Sequence, residues 1–322
     1  MKYLTKLTVL RAITGATLSL GLATASLAQN VGIATSNPGS LFHSIGTAVA
    51  NAANKHGLNT TIQPATSPNQ FIPFINSGGI EFGVANLQEV SYAVTGDGWW
   101  NGVSNENLRI VGHLQPLVEA IFVRADSDIM KVSDLRGKLM TDGYTAQNTI
   151  LPQLSAFYAT AGMTRDDVQK VSVASVVAGA AAFMAGDTVG FIFAHGAGKV
   201  READAAVGGL RALTVENSDA AALAAAKAHW PTASFVPMKA GSMPGILEDG
   251  TYIAFPQVVF THAGVSDEVA YEMAKAMYEN GDIMKDTFKP MGAFKPANMR
   301  QDSGNASFHS GAIKFFEEMG LK

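Results

Sequence analysis

The chain has 322 residues and no cysteine, and its 27 acidic residues outnumber its 23 basic ones. Without cysteine there can be no disulfide, thiol nucleophile or cysteine-ligated zinc. The net charge of −4 and the lack of a basic cluster argue against nucleic-acid binding, because phosphates require Lys and Arg partners. The length suffices for about two domains, each with a hydrophobic core.

The first 28 residues have the pattern of a secretory signal peptide. Three basic residues within the first eleven positions precede an apolar stretch over 12–22, which ends at the small residues of Ser26-Leu27-Ala28. The apolar stretch is shorter than the roughly 20 residues that span a bilayer. We therefore expect 1–28 to be cleaved and the mature chain to lie in the periplasm without membrane insertion.

After the leader, strands alternate with helices. An apolar strand begins at Val31, and a polar turn leads into a helix from Leu41, whose apolar residues recur at helical spacing as far as Ala52. Two similar units follow: strands over 58–63 and 80–85, and helices over 71–76 and 89–94. This alternation predicts an α/β fold with a largely parallel sheet.

The second half of the chain continues the alternation with less regularity. Two strands meet around Gln115-Pro116, where the chain is expected to enter a second domain. Three prolines between 230 and 250 predict an irregular surface segment. The other predicted elements are a strand over 139–141, helices over 149–161 and 178–185, a strand over 188–193, a helical segment over 203–228 with a short strand at 210–213, a strand over 252–260 and a helix over 266–280 capped by Ser266.

These elements predict two α/β lobes that the chain connects twice. The first lobe is expected over 29–123 plus 261–322 and the second over 124–260, with hinge strands near 117–124 and 252–261. In open α/β sheets, ligands bind at the carboxyl ends of the strands. Polar loops follow three successive strands here, so we expect a ligand between the lobes, enclosed when the hinge closes.

Several segments resemble the TAXI family of TRAP-transporter-associated extracytoplasmic solute receptors, a branch of the type II periplasmic binding proteins. The resemblance spans nearly the whole mature chain. It is carried by the following segments: Gly39-Ser-Leu-Phe-His, Thr66-Ser-Pro-Asn-Gln, Gly79-Ile-Glu-Phe-Gly-Val-Ala-Asn-Leu-Gln, Phe122-Val-Arg-Ala-Asp-Ser, Ser133-Asp-Leu-Arg-Gly-Lys and the C-terminal Phe308-His-Ser-Gly-Ala-Ile-Lys-Phe-Phe-Glu-Glu-Met-Gly-Leu.

The resemblance implies a two-lobe type II periplasmic-binding-protein fold, also called a Venus flytrap, whose hinge is crossed twice. It also implies ligand contacts from both lobes: Asn37, Ser40, Phe42, His43, Ser67, Asn69, Asn86, Gln88, Tyr144, Thr145, Ala146, Gln147, Phe193 and His195. The contact of Gln147 is expected through backbone N–H groups at the helix start as much as through its side chain. Phe42 and His43 stand where the family usually has Tyr, and we expect specificity to depend on them.

Some of these residues have a structural alternative. His43 serves equally well as a capping or packing residue, and Phe42 as a core residue. For Asp142, which follows the strand over 139–141, we prefer the role of a helix cap, because a carboxylate in the pocket would repel an anion.

The resemblance implies a receptor, expected as a monomer without a cofactor, that captures a small solute and delivers it to a TRAP-type membrane permease. Hydroxyls, amides and helix N-termini in the loops suit a carboxylate, either a dicarboxylic or oxo acid or an amino acid such as glutamate. One alternative is a periplasmic sensing module for a membrane signalling receptor, because sensing requires the same closing lobes.

A second alternative is an enzyme on the same fold. The seven histidines show no metal-ligand spacing such as His-Glu-x-x-His, and no serine lies in a Gly-x-Ser-x-Gly turn. Ser40, His43 and Asp142 make a triad on paper only, because almost any chain offers such a set. The sequence therefore predicts a binding protein and not an enzyme.

Overall fold

Strands and helices alternate through most of the computed structural model, which describes residues 29–322; the predicted leader over 1–28 lies outside the described residues. The strands of this range are β1 (Gln29–Thr35), β2 (Leu58–Pro64), β3 (Phe82–Asn86), β4 (Leu108–His113), β5 (Leu117–Arg124), β6 (Leu139–Asp142), β7 (Gln169–Ser172), β8 (Gly190–Ala194), β9 (Leu210–Leu213), β10 (Ser234–Met238), β11 (Gly250–Phe255) and β12 (Gln257–His262). The α-helices are α1 (Leu41–Asn54), α2 (Pro68–Asn76), α3 (Leu87–Thr95), α4 (Ile150–Thr160), α5 (Val176–Ala185), α6 (Gly198–Val207), α7 (Ala220–His229), α8 (Asp267–Glu279), α9 (Gly281–Thr287) and α10 (Ser310–Glu318).

The strands form two separate mixed sheets. The first has the order β2-β1-β3-β12-β4, and the second has the order β10-β11-β5-β8-β6-β7 with β9 also paired to β5. In the first sheet β1 is parallel to β2 and β3, whereas β12 runs antiparallel to β3 and β4. In the second, β6 is parallel to β7 and β8, and β5 is antiparallel to its neighbours. Most strands nevertheless share one direction, as expected: β12 alone runs against the other four strands of the first sheet, and β5 and β10 run against the other five of the second.

The chain crosses between the sheets at two adjacent points. One crossing lies at Gln115-Pro116 between β4 and β5, and the other at Pro256 between β11 and β12. The backbone N–H of Leu114 donates to the carbonyl oxygen of Gln257 at 2.8 Å, and the Gln257 side-chain amide donates to the Gln115 carbonyl at 2.7 Å. These hydrogen bonds hold the two crossings side by side.

The chain passes from one sheet to the other at positions that differ from the lobe boundaries expected from the sequence. β5 had been assigned to the first lobe as far as 123, but it pairs within the second sheet, and most of β12 had been assigned to the second lobe, but it pairs within the first. We therefore propose a first lobe over 29–115 and 257–322 and a second lobe over 117–255.

Local sequence explains how the helices facing the second lobe begin. Ser40 has extended backbone and its hydroxyl accepts a hydrogen bond from the His43 N–H at 3.2 Å, which caps α1. Ile45 and Val49 of α1 are fully buried on its apolar face. The helix α3 follows β3 with no intervening loop, because Asn86 ends the strand and is also the N-cap. Both helix starts are thereby fixed at the carboxyl edge of the first sheet.

Two predicted segments differ from the structure. The segment over 230–250 was expected to be irregular, but it contains the edge strand β10, paired antiparallel with β11. Pro237 lies inside this strand, which an edge position tolerates because one side of an edge strand has no ladder to complete. The single strand predicted over 252–260 is divided at Pro256, a residue with no N–H to donate. None of the helices within 29–322 is long and apolar enough to cross a membrane.

Candidate functional site

A cavity of about 40 Å³ lies between the two sheets, which is room for a few water molecules. It is bounded by the first turns of α1 and α3 from the first lobe and by β5, β8 and the starts of α4 and α5 from the second. The lining residues are Ser36, Ser40, Leu41, Phe42, Asn86, Glu89, Leu117, Glu119, Gln147, Ile150, Gln153, Val176, Phe193 and Ala194.

Two buried carboxyl groups line this cavity from opposite lobes. Glu89 lies in the first turn of α3, where its Oε2 accepts a hydrogen bond from the Asn86 N–H at 3.0 Å. Glu119 lies in the middle of β5 and is 3% exposed. Burial raises the pKa of Glu89 to about 7, and burial together with the charge of Glu89 raises the pKa of Glu119 to about 8.

The sequence-based site contained neither carboxyl group. Glu89 was interpreted only as the beginning of a helix. The available signal for Glu119 was a single charged residue within the apolar run Leu117-Val-Glu-Ala-Ile-Phe-Val123. A charged residue in a strand that is otherwise mostly buried must face either a partner or a cavity.

Several other polar atoms of the cavity wall are buried without a partner. Among residues 29–322, the Ser36 Oγ, Asn86 Oδ1, Gln153 Oε1 and Glu119 Oε2 atoms accept or donate no hydrogen bond. Gln147 differs, since its Oε1 accepts from the Val176 N–H at 3.1 Å. Buried polar groups in folded proteins are normally paired, so a cluster of unpaired ones facing one cavity indicates a place for a ligand or water.

Five of the fourteen residues predicted as ligand contacts line the cavity. Ser40 and Phe42 come from the start of α1, Asn86 from the end of β3, Gln147 from the turn before α4 and Phe193 from β8. Phe42 is only 7% exposed and also packs in the hydrophobic core, so the same side chain contributes to the core and to the cavity wall.

Three more of the predicted residues join the lobes without lining the cavity. The Ser67 hydroxyl donates to the Ala146 carbonyl at 2.6 Å, and Gln88 Oε1 accepts from the backbone N–H of Thr232 at 3.2 Å. A third bridge runs from the Lys199 N–H to the Gly39 carbonyl at 3.1 Å. The structure therefore shows the two lobes in contact around the cavity.

The other predicted contacts lie outside the cavity lining, and two of them are buried aromatic residues. His195 packs edge-on against Phe122 and Tyr252, and burial lowers its pKa to about 3, so its ring is neutral. The hydroxyl of Tyr144 is 2.7 Å from that of Thr141. The remaining four are half-buried or exposed: Asn37, His43, Asn69 and Thr145. His43 Nδ1 lies 3.3 Å from the Thr35 hydroxyl.

The backbone N–H expected to donate from Gln147 is not available to a ligand, and neither are those of the two residues before it. The N–H groups of Thr145 and Ala146 donate to the carbonyls of Val173 and Ala174, and that of Gln147 donates to Tyr144. This part of the prediction was wrong because the Gln147 N–H closes the turn between β6 and α4, while the preceding residues pair with the segment after β7.

The sequence suggested that Asp142 caps a helix, but the structure shows that it does not. The helix α4 begins only at Ile150, and the Asp142 carboxylate forms an ion pair with Arg165, with Arg165 Nε at 2.9 Å from Oδ2. In the described part of the chain, no group of three or more His, Asp or Glu residues is arranged to hold a metal ion.

Comparison with solved structures establishes the fold. The periplasmic binding protein BugD has 9% sequence identity and a TM-score of 0.60, and the match covers 91% of this chain and 98% of BugD. A protein from Bordetella bronchiseptica RB50 has 11% identity and a TM-score of 0.55, with 90% and 98% covered. The aliphatic sulphonate binding protein SsuA from Escherichia coli has 13% identity and a TM-score of 0.50, with 91% and 88% covered.

These similarities confirm the two-lobe α/β fold of periplasmic binding proteins that the sequence predicted. At such low identity they establish the fold alone. Family membership rests on the sequence, since a sequence model of the NMT1-like family matches residues 33–320, which is most of the chain. The chain therefore belongs to the NMT1-like family.

Proposed function

We propose that the protein is a periplasmic solute-binding receptor that holds a small solute between its two lobes and delivers it to a membrane permease. The observation that carries the proposal is the cavity at the lobe interface, into which both lobes contribute buried polar atoms without partners. The fold is shared with proteins described as periplasmic binding proteins, which supports the same role here. The secretory pattern of 1–28 supports the periplasmic location.

The finer assignment follows the resemblance to the TAXI family. It makes the partner a TRAP-type permease and the receptor a monomer that binds one solute. The genes next to the one for this protein test the identity of the partner. An adjacent gene for a large multi-span permease supports uptake, whereas an adjacent gene for a histidine kinase supports the sensing alternative. Loss of solute uptake on deletion of this protein separates the two roles directly.

Binding without catalysis agrees with the positions of the residues that made a triad on paper. Ser40 accepts a hydrogen bond from the backbone of His43, and Asp142 is paired with Arg165. Neither arrangement links a nucleophile to a base and the base to an orienting carboxylate, which a triad requires. We therefore propose no reaction for this site.

The carboxylate ligand expected from the loops stays a prediction, and the cavity wall weighs against its purely anionic members. Glu89 and Glu119 both line the cavity, whereas none of the described lining residues is Lys, Arg or His. A dicarboxylate would enter only when Glu89 and Glu119 are both protonated, because like charges in a buried site repel strongly. An amino acid has an ammonium group that could lie against them.

Replacement of Asn86 tests whether the cavity is the binding site. Asn86→Ala removes the unpartnered Oδ1 atom from the wall. We expect about tenfold weaker binding, the value of one to two hydrogen bonds. Gln88→Ala removes the bridge to Thr232 and should weaken binding several-fold through poorer closure. The solute that co-purifies with the protein, identified by mass spectrometry, serves as the titrant in calorimetry.

The matched control is Asn298→Ala, an exposed amide of the first lobe outside the cavity. It should bind like the wild type. Unchanged affinity in Asn86→Ala, with the fold intact by circular dichroism, would remove this cavity from the function.

A further inference from the structure

We propose that the solute carries a protonated nitrogen group, an ammonium or amidinium, which lies between Glu89 and Glu119. This inference rests on the proposed function and assigns the chemical class of its ligand.

The charges around the cavity favour a cation. Glu89 is 2% exposed and Glu119 is 3% exposed, and the two come from opposite lobes to the same cavity. No cationic side chain is present among the lining residues that the structure describes. Glu89 accepts one hydrogen bond from the Asn86 N–H, whereas Glu119 Oε2 accepts none. A buried carboxylate with so few donors is costly, so these groups must either hold a proton or face a positive ligand.

The unpartnered atoms of the cavity are mainly acceptors. Glu119 Oε2, Gln153 Oε1 and Asn86 Oδ1 are buried and receive no hydrogen bond within 29–322. A carboxylate ligand has only acceptors and would leave a deprotonated Glu119 without a donor. An ammonium group has three N–H donors and an amidinium has four, which matches the acceptors available.

The neighbouring titratable groups do not supply the missing positive charge. Burial raises the pKa of Tyr144, with Glu119 among the contributing charges, so its hydroxyl is neutral. Asp142 and Arg165 neutralise each other, and His195 is a neutral ring because burial lowers its pKa to about 3. A bound cation would therefore be the partner that allows Glu89 and Glu119 to ionise.

This arrangement links binding to pH with a definite sign. The carboxyl groups hold protons near neutral pH because the pKa values are raised to about 7 and 8. A cation binds the ionised form, so it expels protons and its affinity increases with pH, by about tenfold per pH unit between 6 and 7 for each proton released. An anion requires the protonated form, and its affinity must decrease over the same range.

The experiment is calorimetric titration of the wild-type protein at pH 6, 7 and 8.5 with compounds of matched length. The cationic probes are ethylamine, guanidine and 1,4-diaminobutane, and the zwitterions are glycine and 4-aminobutanoate. Acetate and succinate are the anionic probes, and ethanol and 1,4-butanediol the neutral ones. We expect binding only by compounds with a protonated nitrogen, with affinity rising with pH and with buffer-dependent heats that report proton release.

The variants then locate the group. Glu119→Gln should weaken binding of the positive probe at least tenfold and flatten its pH dependence, and Glu89→Gln should act in the same direction. Glu317→Gln, an exposed residue of α10, is the matched control and should bind like the wild type. If Glu119→Gln does not fold, the pH dependence of the wild type carries the test.

Each outcome separates the two proposals. Binding of an anion or a neutral probe in preference to the amines overturns the inference and leaves the proposed function standing. Binding of an amine that is indifferent to pH and to both substitutions also overturns it. If no probe binds and denaturation of the purified protein releases no solute, both proposals fail.

Discussion

At the scale of single residues, burial shifts the protonation of four ionisable side chains in opposite directions. The pKa values of Glu89 and Glu119 lie above the ordinary value of 4.5, whereas those of His113 and His195 are lowered from 6.5 to about 4 and about 3. The glutamates thus contribute stability below pH 4.5 that is lost as the pH rises towards 8. The histidines contribute stability above pH 6.5 that is lost as the pH falls towards 3.

Above pH 6.5 the glutamates decide how stability depends on pH. We expect the free energy of unfolding of the ligand-free protein to fall by about 3 kcal/mol between pH 6.5 and 8.5, because the unfolded chain has released protons that the fold retains. Glu119→Gln removes most of this loss and should be more stable than the wild type at pH 8.5. The measurement is urea unfolding followed by circular dichroism, after bound solute has been removed by dialysis.

Glu317→Gln again serves as the comparison, because Glu317 is an exposed residue of α10 that does not line the cavity. Its pH dependence should match that of the wild type. If the curves of wild type and Glu119→Gln run parallel from pH 6.5 to 8.5, then Glu119 is ionised in the fold.

At the scale of elements, the C-terminal helix α10 depends on one glycine for its packing. Gly311 lies in its first turn, and a Cβ at this position would be 2.1 Å from the carbonyl oxygen of Asp267 at the start of α8. The obstacle is backbone, which cannot rotate away as a side chain can. The close approach of α8 and α10 therefore requires a residue without a side chain at 311.

Gly311→Ala should destabilise the protein by about 2–3 kcal/mol, because the helices must separate to admit the methyl group. The gain in helix propensity from Gly to Ala, up to about 1 kcal/mol, offsets only part of this loss. Gly281→Ala is the matched control, since a Cβ there meets no atom within 4 Å. Thermal or urea unfolding measures both, and equal stability of the two variants would refute the packing argument.

How far the sequence predicts these elements depends on how local their signals are. The helix α1 follows from apolar spacing and the Ser40 cap, both of which act within a few residues. The strand β10 could not be predicted, because its pairing with β11 outweighs the prolines around it. The site shows the same limit: loop residues such as Asn86 were predicted, whereas Glu119 reaches the cavity only through the pairing of β5 inside the second sheet.

At the scale of the whole molecule, contacts between the lobes stabilise the closed arrangement. In addition to the three hydrogen-bonded bridges, the rings of Trp99 in the first lobe and Trp230 in the second stack at 5.3 Å with an interplanar angle of 15°. Such contacts are lost when the hinge opens, so they contribute to affinity even though neither ring lines the cavity. Affinity can therefore be altered without any change to the residues that touch the solute.

Trp99→Leu separates closure from direct contact. Trp99 also packs against Tyr92 at 5.2 Å, but both rings belong to the first lobe, so hinge opening does not have to break this contact. Loss of the stack, about 0.5–1.5 kcal/mol, should weaken solute binding two- to tenfold and raise the dissociation rate. Stopped-flow fluorescence measures that rate, and small-angle scattering should show a larger radius of gyration without ligand.

The control is Phe74→Leu, which replaces an exposed aromatic residue of the first lobe and should change neither the dissociation rate nor the radius of gyration. If Trp99→Leu binds as tightly as the wild type, the stacked rings do not stabilise closure and the bridges from Gly39, Ser67 and Gln88 must suffice.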